Sequence, residues 1–404
     1  MKKVVLGVLV LLVTLLFSCN TITNDDIQDN ITRKDSVEEI AQKYVKYKNI
    51  WLNFEQGRSA TEDFKEIYPD FLFNLELYDE EGNPIKFEDF SDEQKEQFYL
   101  AWQEEEVKHC IEVLQDNEEL QNEVNIDNIA IEEALETAGR NIFVNKSYNL
   151  FLQTYLKKRQ ELTAAQKSTE LEAARGASNS YGEITKDCLN TDSVQKLKKV
   201  YKQGLVLYTP DAAASSTSYF SGHVGITKEK EWNSAWNDNG LSKISYSAWG
   251  DSKPNWKGKI NGVQEEPLGF WAGTSGSSAA CVKVYQMCYP KIVVKFKWIF
   301  PYITIDYCPA PSSDAQKAVA YAESQCGKPY DIGEDITVTL VDSSLAFSNA
   351  VKWKTDNFYC SQLVWRSWVH ASPIYDFSGL RPLVLPADFE MAMNTKMLVI
   401  YQNR

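Results

Sequence analysis

Charge and tryptophan content both change near residue 180, and a chain that changes in two respects at one place is expected to fold as two differently packed parts. Residues 20–180 carry 35 acidic and 17 basic side chains, a balance of −18, whereas residues 181–404 carry 21 and 23, a balance of +2. Nine of the 11 tryptophans lie beyond residue 230, so the second part has the bulkier core. Between the two, Arg175-Gly176-Ala177-Ser178-Asn179-Ser180 has linker composition. One unit is expected over 35–178 and another over 185–404, each long enough for a core of its own. The net charge of −14 argues against a nucleic-acid partner, which needs a basic face.

The first residues read as an address. Lys2 and Lys3 precede an apolar run from Val4 to Phe17, too short to span a bilayer comfortably and suited to a secretory signal segment. Leu16-Phe17-Ser18-Cys19 resembles the lipobox of bacterial lipoproteins. That resemblance implies a signal segment over 1–19, lipidation of Cys19 and an exported, membrane-anchored protein. Ordinary cleavage after a small residue is the alternative. Residues 20–34 then form a polar tether.

The acidic part reads as helical. Ser91-Asp92-Glu93-Gln94 has capping-box form and opens a helix carrying Phe98, Leu100, Ala101 and Trp102. Val37–Phe54, Ile131–Ala138 and Leu150–Ala174 share the helical period. Glu104-Glu105-Glu106 reads as a solvated face rather than a set of metal ligands, and His109-Cys110 as a core site rather than a metal pair. This part offers no chemistry of its own; scaffolding, gating of substrate or binding of a protein partner is the default role.

The second part alternates strands and helices. Gly204–Thr209, His223–Thr227, Lys243–Trp249 and Lys291–Trp298 are rich in β-branched and aromatic residues. Helices are expected over Ser312–Gln325 and Asn357–Val369. The pattern is α+β, an antiparallel sheet packed with helices. The tryptophans between 232 and 271 suit either a core or an apolar, sugar-facing cleft.

Chemistry enters with Cys360. It opens its helix, outside the apolar stripe of Leu363, Val364 and Trp368, where the helix dipole and free N–H groups favour a thiolate and can hold an oxyanion. The competing reading is a small buried hydrophobe. The chain has three histidines. His370 follows Cys360 by ten residues on the same helix, about 15 Å along the axis. His109 belongs to the other part, which leaves His223 as the imidazole that folding could bring to the thiol. Its own alternative is a satisfied histidine at a strand edge. Cys110, Cys188, Cys281, Cys288, Cys308 and Cys326 could pair as disulfides in an exported protein and leave Cys360 free. Their spacing matches no zinc site. No metal or cofactor is expected.

Gly222-His223-Val224-Gly225-Ile226, then Gly327-Lys328-Pro329-Tyr330-Asp331, then Phe358-Tyr359-Cys360-Ser361-Gln362-Leu363-Val364 resemble, in this order, the motifs of the permuted papain-like hydrolases, the YiiX/YaeF-like relatives of the NlpC cysteine peptidases. The resemblance covers roughly residues 195–404. It implies a circularly permuted papain-like domain in which Cys360 is the nucleophile and His223 the general base. It also implies an amide-containing substrate, either a cell-wall peptide or an N-acylated molecule. Tyr359 and Ser361 are expected to line the substrate site. The family carries a polar orienter, often glutamate, on the strand after the histidine; that place falls on Ser247, with Asp251 as the nearby alternative. A serine stabilises an imidazolium less than a carboxylate does. This departure leaves a second class open: a catalytically weak or inactive lipoprotein that binds lipid or a protein.

Overall fold

In the computed structural model, residues 35–56, 75–139, 151, 154–159, 161–165, 191–210, 222–236, 239–249, 261–273, 279, 281–297, 300–330, 352, 355–378 and 383–403 are described. The signal segment, Cys19, the tether, the 175–180 linker, Cys188 and Asp251 lie outside them.

The fold is α+β, a mixed sheet with helices against it. In chain order come α1 (Val37–Gln56), β1 (Glu76–Tyr78), β2 (Pro84–Ile85), α2 (Asp92–Gln115), α3 (Glu118–Gly139), α4 (Thr191–Val200), β3 (Val206–Thr209), β4 (His223–Thr227) and β5 (Lys243–Trp249). They are followed by β6 (Gly262–Pro267), α5 (Leu268–Ala272), β7 (Cys281–Lys297), β8 (Phe300–Pro309), α6 (Ser312–Ser324), α7 (Cys360–Ala371), α8 (Asp388–Met391) and β9 (Thr395–Gln402).

Helix α2 begins as its sequence predicts. The Ser91 hydroxyl accepts from the Gln94 backbone N–H at 3.2 Å, and the Gln94 side chain accepts from the Ser91 N–H at 2.9 Å. Its buried stripe runs Phe98, Trp102, Glu106, Cys110 and Leu114, four residues apart throughout. The reading of Glu104–Glu106 as a solvated face is corrected at Glu106, which lies on that stripe and binds Lys48 Nζ at 2.6 Å. A carboxylate so buried needs such a partner to offset its lost hydration.

The sheet runs β2-β1-β7-β3-β4-β5-β6, with β8 and β9 also on β7. The expected all-antiparallel sheet is corrected at one pair: β1 lies parallel to β7, Leu77 opposite Ile292. A hairpin of the acidic part thus extends the sheet of the second part. Further links cross the charge boundary: Tyr44 donates to Asp388 Oδ1 at 3.1 Å, and Asn117 donates to Glu390 Oε1 at 2.7 Å. The change of charge marks a change of surface; the packing runs across it.

Helices α6 and α7 pack together, and α7 lies on β4 and β5. Val364, Trp365 and Trp368 on α7 join Val206, Val224, Ile226 and Tyr246 in one core cluster. The other sheet face carries Leu207, Trp249, Phe270 and Trp271 against α4. Trp236, Trp249 and Trp271 are buried there, so these tryptophans build core instead of lining a cleft. Large buried side chains of this kind contribute roughly 1.5–3 kcal/mol each.

Candidate active site

The first residue of α7, Cys360, and the first residue of β4, His223, come together at one end of the sheet, near enough for the thiol to help hold the His223 pKa up. Several contacts fix the cysteine. Tyr359 is the extended residue before the helix, and its N–H donates to Gln362 Oε1 at 3.2 Å. The Tyr359 hydroxyl accepts from Val384 N–H at 3.0 Å, and Ser361 Oγ donates to the Val384 carbonyl at 2.7 Å. Both residues are fully buried. The side chains expected to line the substrate site thus have their hydroxyls committed to the backbone of Val384, which ties that segment to the start of the helix.

The Gly327–Tyr330 motif has a comparable job. Gly327 N–H donates to the Val263 carbonyl at 2.9 Å, and Val263 N–H returns to the Lys328 carbonyl at 2.8 Å. Phe358 N–H then donates to the Pro329 carbonyl at 3.0 Å. The segment laces edge strand β6 to the residues just before Cys360. Gly262 permits this approach, since a Cβ there would stand 2.2 Å from the Lys328 carbonyl oxygen.

Behind the imidazole stands a carboxylate that sequence reasoning missed. Glu266, on β6 two strands from His223, places Oε1 2.5 Å from His223 Nε2. It is fully buried. Its other donors are the Trp249 indole N–H on Oε1, and Ser245 Oγ at 3.2 Å and the Trp271 indole N–H at 3.1 Å on Oε2. The register explains the reach. Ser245 pairs with Glu266 and Ser247 with Gln264, while Thr227 pairs with Ser245. Alternation then puts His223, Gly225 and Thr227 on the same face as Ser245, Ser247 and Glu266. Gly225 leaves the gap over which the carboxylate crosses, because a Cβ on it would meet Glu266 Oε2 at 2.8 Å and Trp271 at 2.9 Å.

Ser247, expected to orient the ring, lies 3.0 Å from His223 Nε2 and donates its proton to the Val224 carbonyl at 2.6 Å. With that proton committed, the serine oxygen accepts from Nε2, as Glu266 does. The network therefore assigns the Nε2 proton, and Nδ1 is the nitrogen left for the thiol. The absence of a carboxylate noted in the sequence is corrected: a serine and a glutamate share the task.

Burial by itself would push the imidazole towards its neutral form. The Glu266 charge and hydrogen bond, together with the nearby Cys360, outweigh it, and the His223 pKa is pushed up to about 9. The ring is boxed by Trp249, Phe270 and Trp271, with centroids at 4.2, 5.5 and 5.7 Å. These walls keep water from the Glu266–His223 pair and strengthen it.

His370 sits far along α7 against Tyr321, ring centroids 4.6 Å apart. The six described cysteines, Cys360 included, are free thiols, so cysteine parity does not single out Cys360; its place and its partner do. Among the described residues no group of three or more His, Cys, Asp or Glu is arranged to hold a metal ion, and no helix is long and apolar enough to cross a membrane. Comparison with protein-family models, with curated proteins and with solved structures returned no match.

Proposed function

We propose that this chain is a cysteine hydrolase of the permuted papain-like kind, anchored in the bacterial envelope through Cys19 and acting on an amide bond. The observation that carries the reading is Cys360 at a helix N-terminus beside His223, whose ring is hydrogen-bonded in turn to the buried Glu266. The chain order, histidine strand before cysteine helix, supports the permuted arrangement. In the proposed reaction the Cys360 thiolate attacks the carbonyl carbon, forming the C–S bond, while the carbonyl oxygen takes up negative charge beside the Cys360 backbone N–H. His223, protonated with Glu266 behind it, gives its proton to the departing nitrogen as the C–N bond breaks. It next removes a proton from the water that hydrolyses the thioester, which releases the acid and the free thiol. Ser247 and Glu266 are positioning residues, holding the ring in one tautomer.

The substrate class that the family resemblance suggests is a cell-wall peptide or an N-acylated molecule. The reading of the chain as an inactive lipid- or protein-binding lipoprotein rested on a missing carboxylate, and Glu266 supplies one. The test is turnover of cell-wall fragments and of N-acyl amides, together with labelling by a thiol-directed amidase probe. Wild type is expected to release amine and to label at Cys360, with Cys360→Ala silent in both. A wild type that neither labels nor turns over either substrate class would transfer the case to the binding protein.

A further inference from the structure

Two other buried carboxylates of this molecule are answered by cations. Glu106 binds Lys48 Nζ at 2.6 Å, and Asp127 accepts from Arg159 Nη1 at 2.9 Å. Glu266 is fully buried, and among the described residues neither a lysine nor an arginine bonds to it. Three of its four partners are neutral donors: the Trp249 indole N–H on Oε1, and Ser245 Oγ at 3.2 Å with the Trp271 indole N–H at 3.1 Å on Oε2. The fourth is the His223 ring on Oε1. A carboxylate offers about four lone-pair positions, so each oxygen is filled twice.

The fold delivers these donors from two directions. Ser245 is the cross-strand partner of Glu266, and Trp249 lies four residues further along β5, on the same face by alternation. Trp271 comes from α5, which follows β6 directly and turns the chain back over the carboxylate. Its N–H is shared with Ser245 Oγ at 2.9 Å, so serine, indole and carboxylate close a triangle. Phe270 stands in the same box, edge-on to the His223 ring, and brings no donor.

The consequence concerns one proton. A glutamate–imidazole pair kept from water can hold it on the ring, as carboxylate and imidazolium, or on the glutamate, as two neutral groups. Burial favours the neutral arrangement. An indole N–H donates and cannot accept, so two indoles aimed at the carboxylate favour its charged form. Being uncharged, they leave the whole negative charge to act on His223, where a lysine in their place would offset it. The titratable groups that act on the ring are Glu266 on β6 and Cys360 at the start of α7. Strand β5 and helix α5 present Ser247, Trp249, Phe270 and Trp271 to it, none of which carries a charge.

We propose that Trp249 and Trp271, with Ser245, are positioning residues that act through Glu266 and keep the shared proton on His223. The inference rests on the hydrolase reading for its use, since an imidazolium is what protonates the departing nitrogen, but its test needs no substrate.

The test is an NMR titration of the His223 ring in the full chain, comparing W249F and W271F with F270L, which thins the same box without removing an N–H. Each tryptophan variant should lower the His223 midpoint by about one pH unit, a tenfold loss of proton affinity, and F270L should lower it by clearly less. Should a tryptophan variant fail to fold, the wild type and Glu266→Gln decide. The indole N–H signals of Trp249 and Trp271, identified by their contacts to the His223 ring, should follow the His223 transition in the wild type and move upfield in Glu266→Gln. His223 midpoints unchanged in W249F and W271F, an F270L effect as large as theirs, or indole signals indifferent to both the titration and Glu266→Gln would overturn the proposal. A wild type that turns over no amide yet shows the indole dependence would sink the hydrolase reading and leave this assignment standing.

Discussion

His109 with Cys110 on α2, and His223 with Cys360 across β4 and α7, are the same two functional groups in two settings. In the helical region burial acts with little opposition. It lowers the His109 pKa below the usual 6.5, and it pushes the Cys110 thiol up to about 12. The His109 Nε2 is buried without a partner among the described residues. Both groups are driven to their neutral, unreactive forms. At the sheet end burial is at least as deep, yet the imidazole moves the other way, to about 9. A buried cysteine beside a histidine is therefore not a nucleophile by composition. The difference lies in a carboxylate 2.5 Å behind the ring and a helix N-terminus under the thiol.

The largest effect expected from breaking this contrast is on turnover. Cys360→Ala should lower amide hydrolysis by about four orders of magnitude or to background, whereas Cys110→Ala should leave it within twofold. Equal losses in the two variants, measured as kcat/KM, would erase the distinction between the settings.

Glu266→Gln comes next. It keeps the shape but removes the charge, so the His223 pKa should fall from about 9 to below 6.5, the behaviour of His109. Activity at neutral pH is expected to drop on the order of a thousandfold, as in other enzymes that lose the group behind the imidazole. Breaking a buried pair also costs stability, here about 3 kcal/mol. Urea unfolding and ring titration together report whether the loss acts through the ring or through the fold.

A third prediction concerns pH. The pKa of His223 is raised on folding, so the native state binds its proton more tightly than the unfolded chain does. The stabilisation is full below about 6.5 and is lost as pH rises towards 9, a difference on the order of 3 kcal/mol. Denaturant midpoints should therefore fall between pH 6.5 and 9 in the wild type, and this fall should flatten in Glu266→Gln. An unchanged slope in the variant would detach the effect from His223.

The smallest effect belongs to Ser247→Ala. Glu266 still holds Nε2, so turnover should drop only about three- to tenfold, with a stability loss of roughly 1 kcal/mol from the unpaired Val224 carbonyl. A loss as large as that of Glu266→Gln would make the serine the main partner of the ring.

Cys360 and His223 were legible because each is announced locally: a cysteine at the head of an apolar helix, and a histidine followed by Gly225 on a short strand. Ser247 was legible only through the family resemblance, which expects a polar residue on the strand after the histidine. Glu266 was not, since its role depends on a pairing register in which β6 lies two strands from β4. The signal available was Glu265-Glu266 in a strand that runs straight into the apolar Leu268–Ala272, where an inward carboxylate needs a partner. The α+β class followed from the alternation of strands and helices. The parallel β1–β7 pair could not be read, because a strand of three residues carries almost no periodicity. Tyr359 and Ser361 were read by their neighbourhood to the thiol; their partner Val384 lies more than twenty residues away.

The most direct test of the central claim is an NMR titration of the histidine rings in the full chain, assigned with His109→Asn and His370→Asn variants. His223 should titrate near pH 9 with its Nε2 proton retained throughout, and His109 should titrate below 6.5. A His223 midpoint at or below 6.5 would mean that Glu266 does not hold the imidazolium, and the contrast between the two settings would be gone.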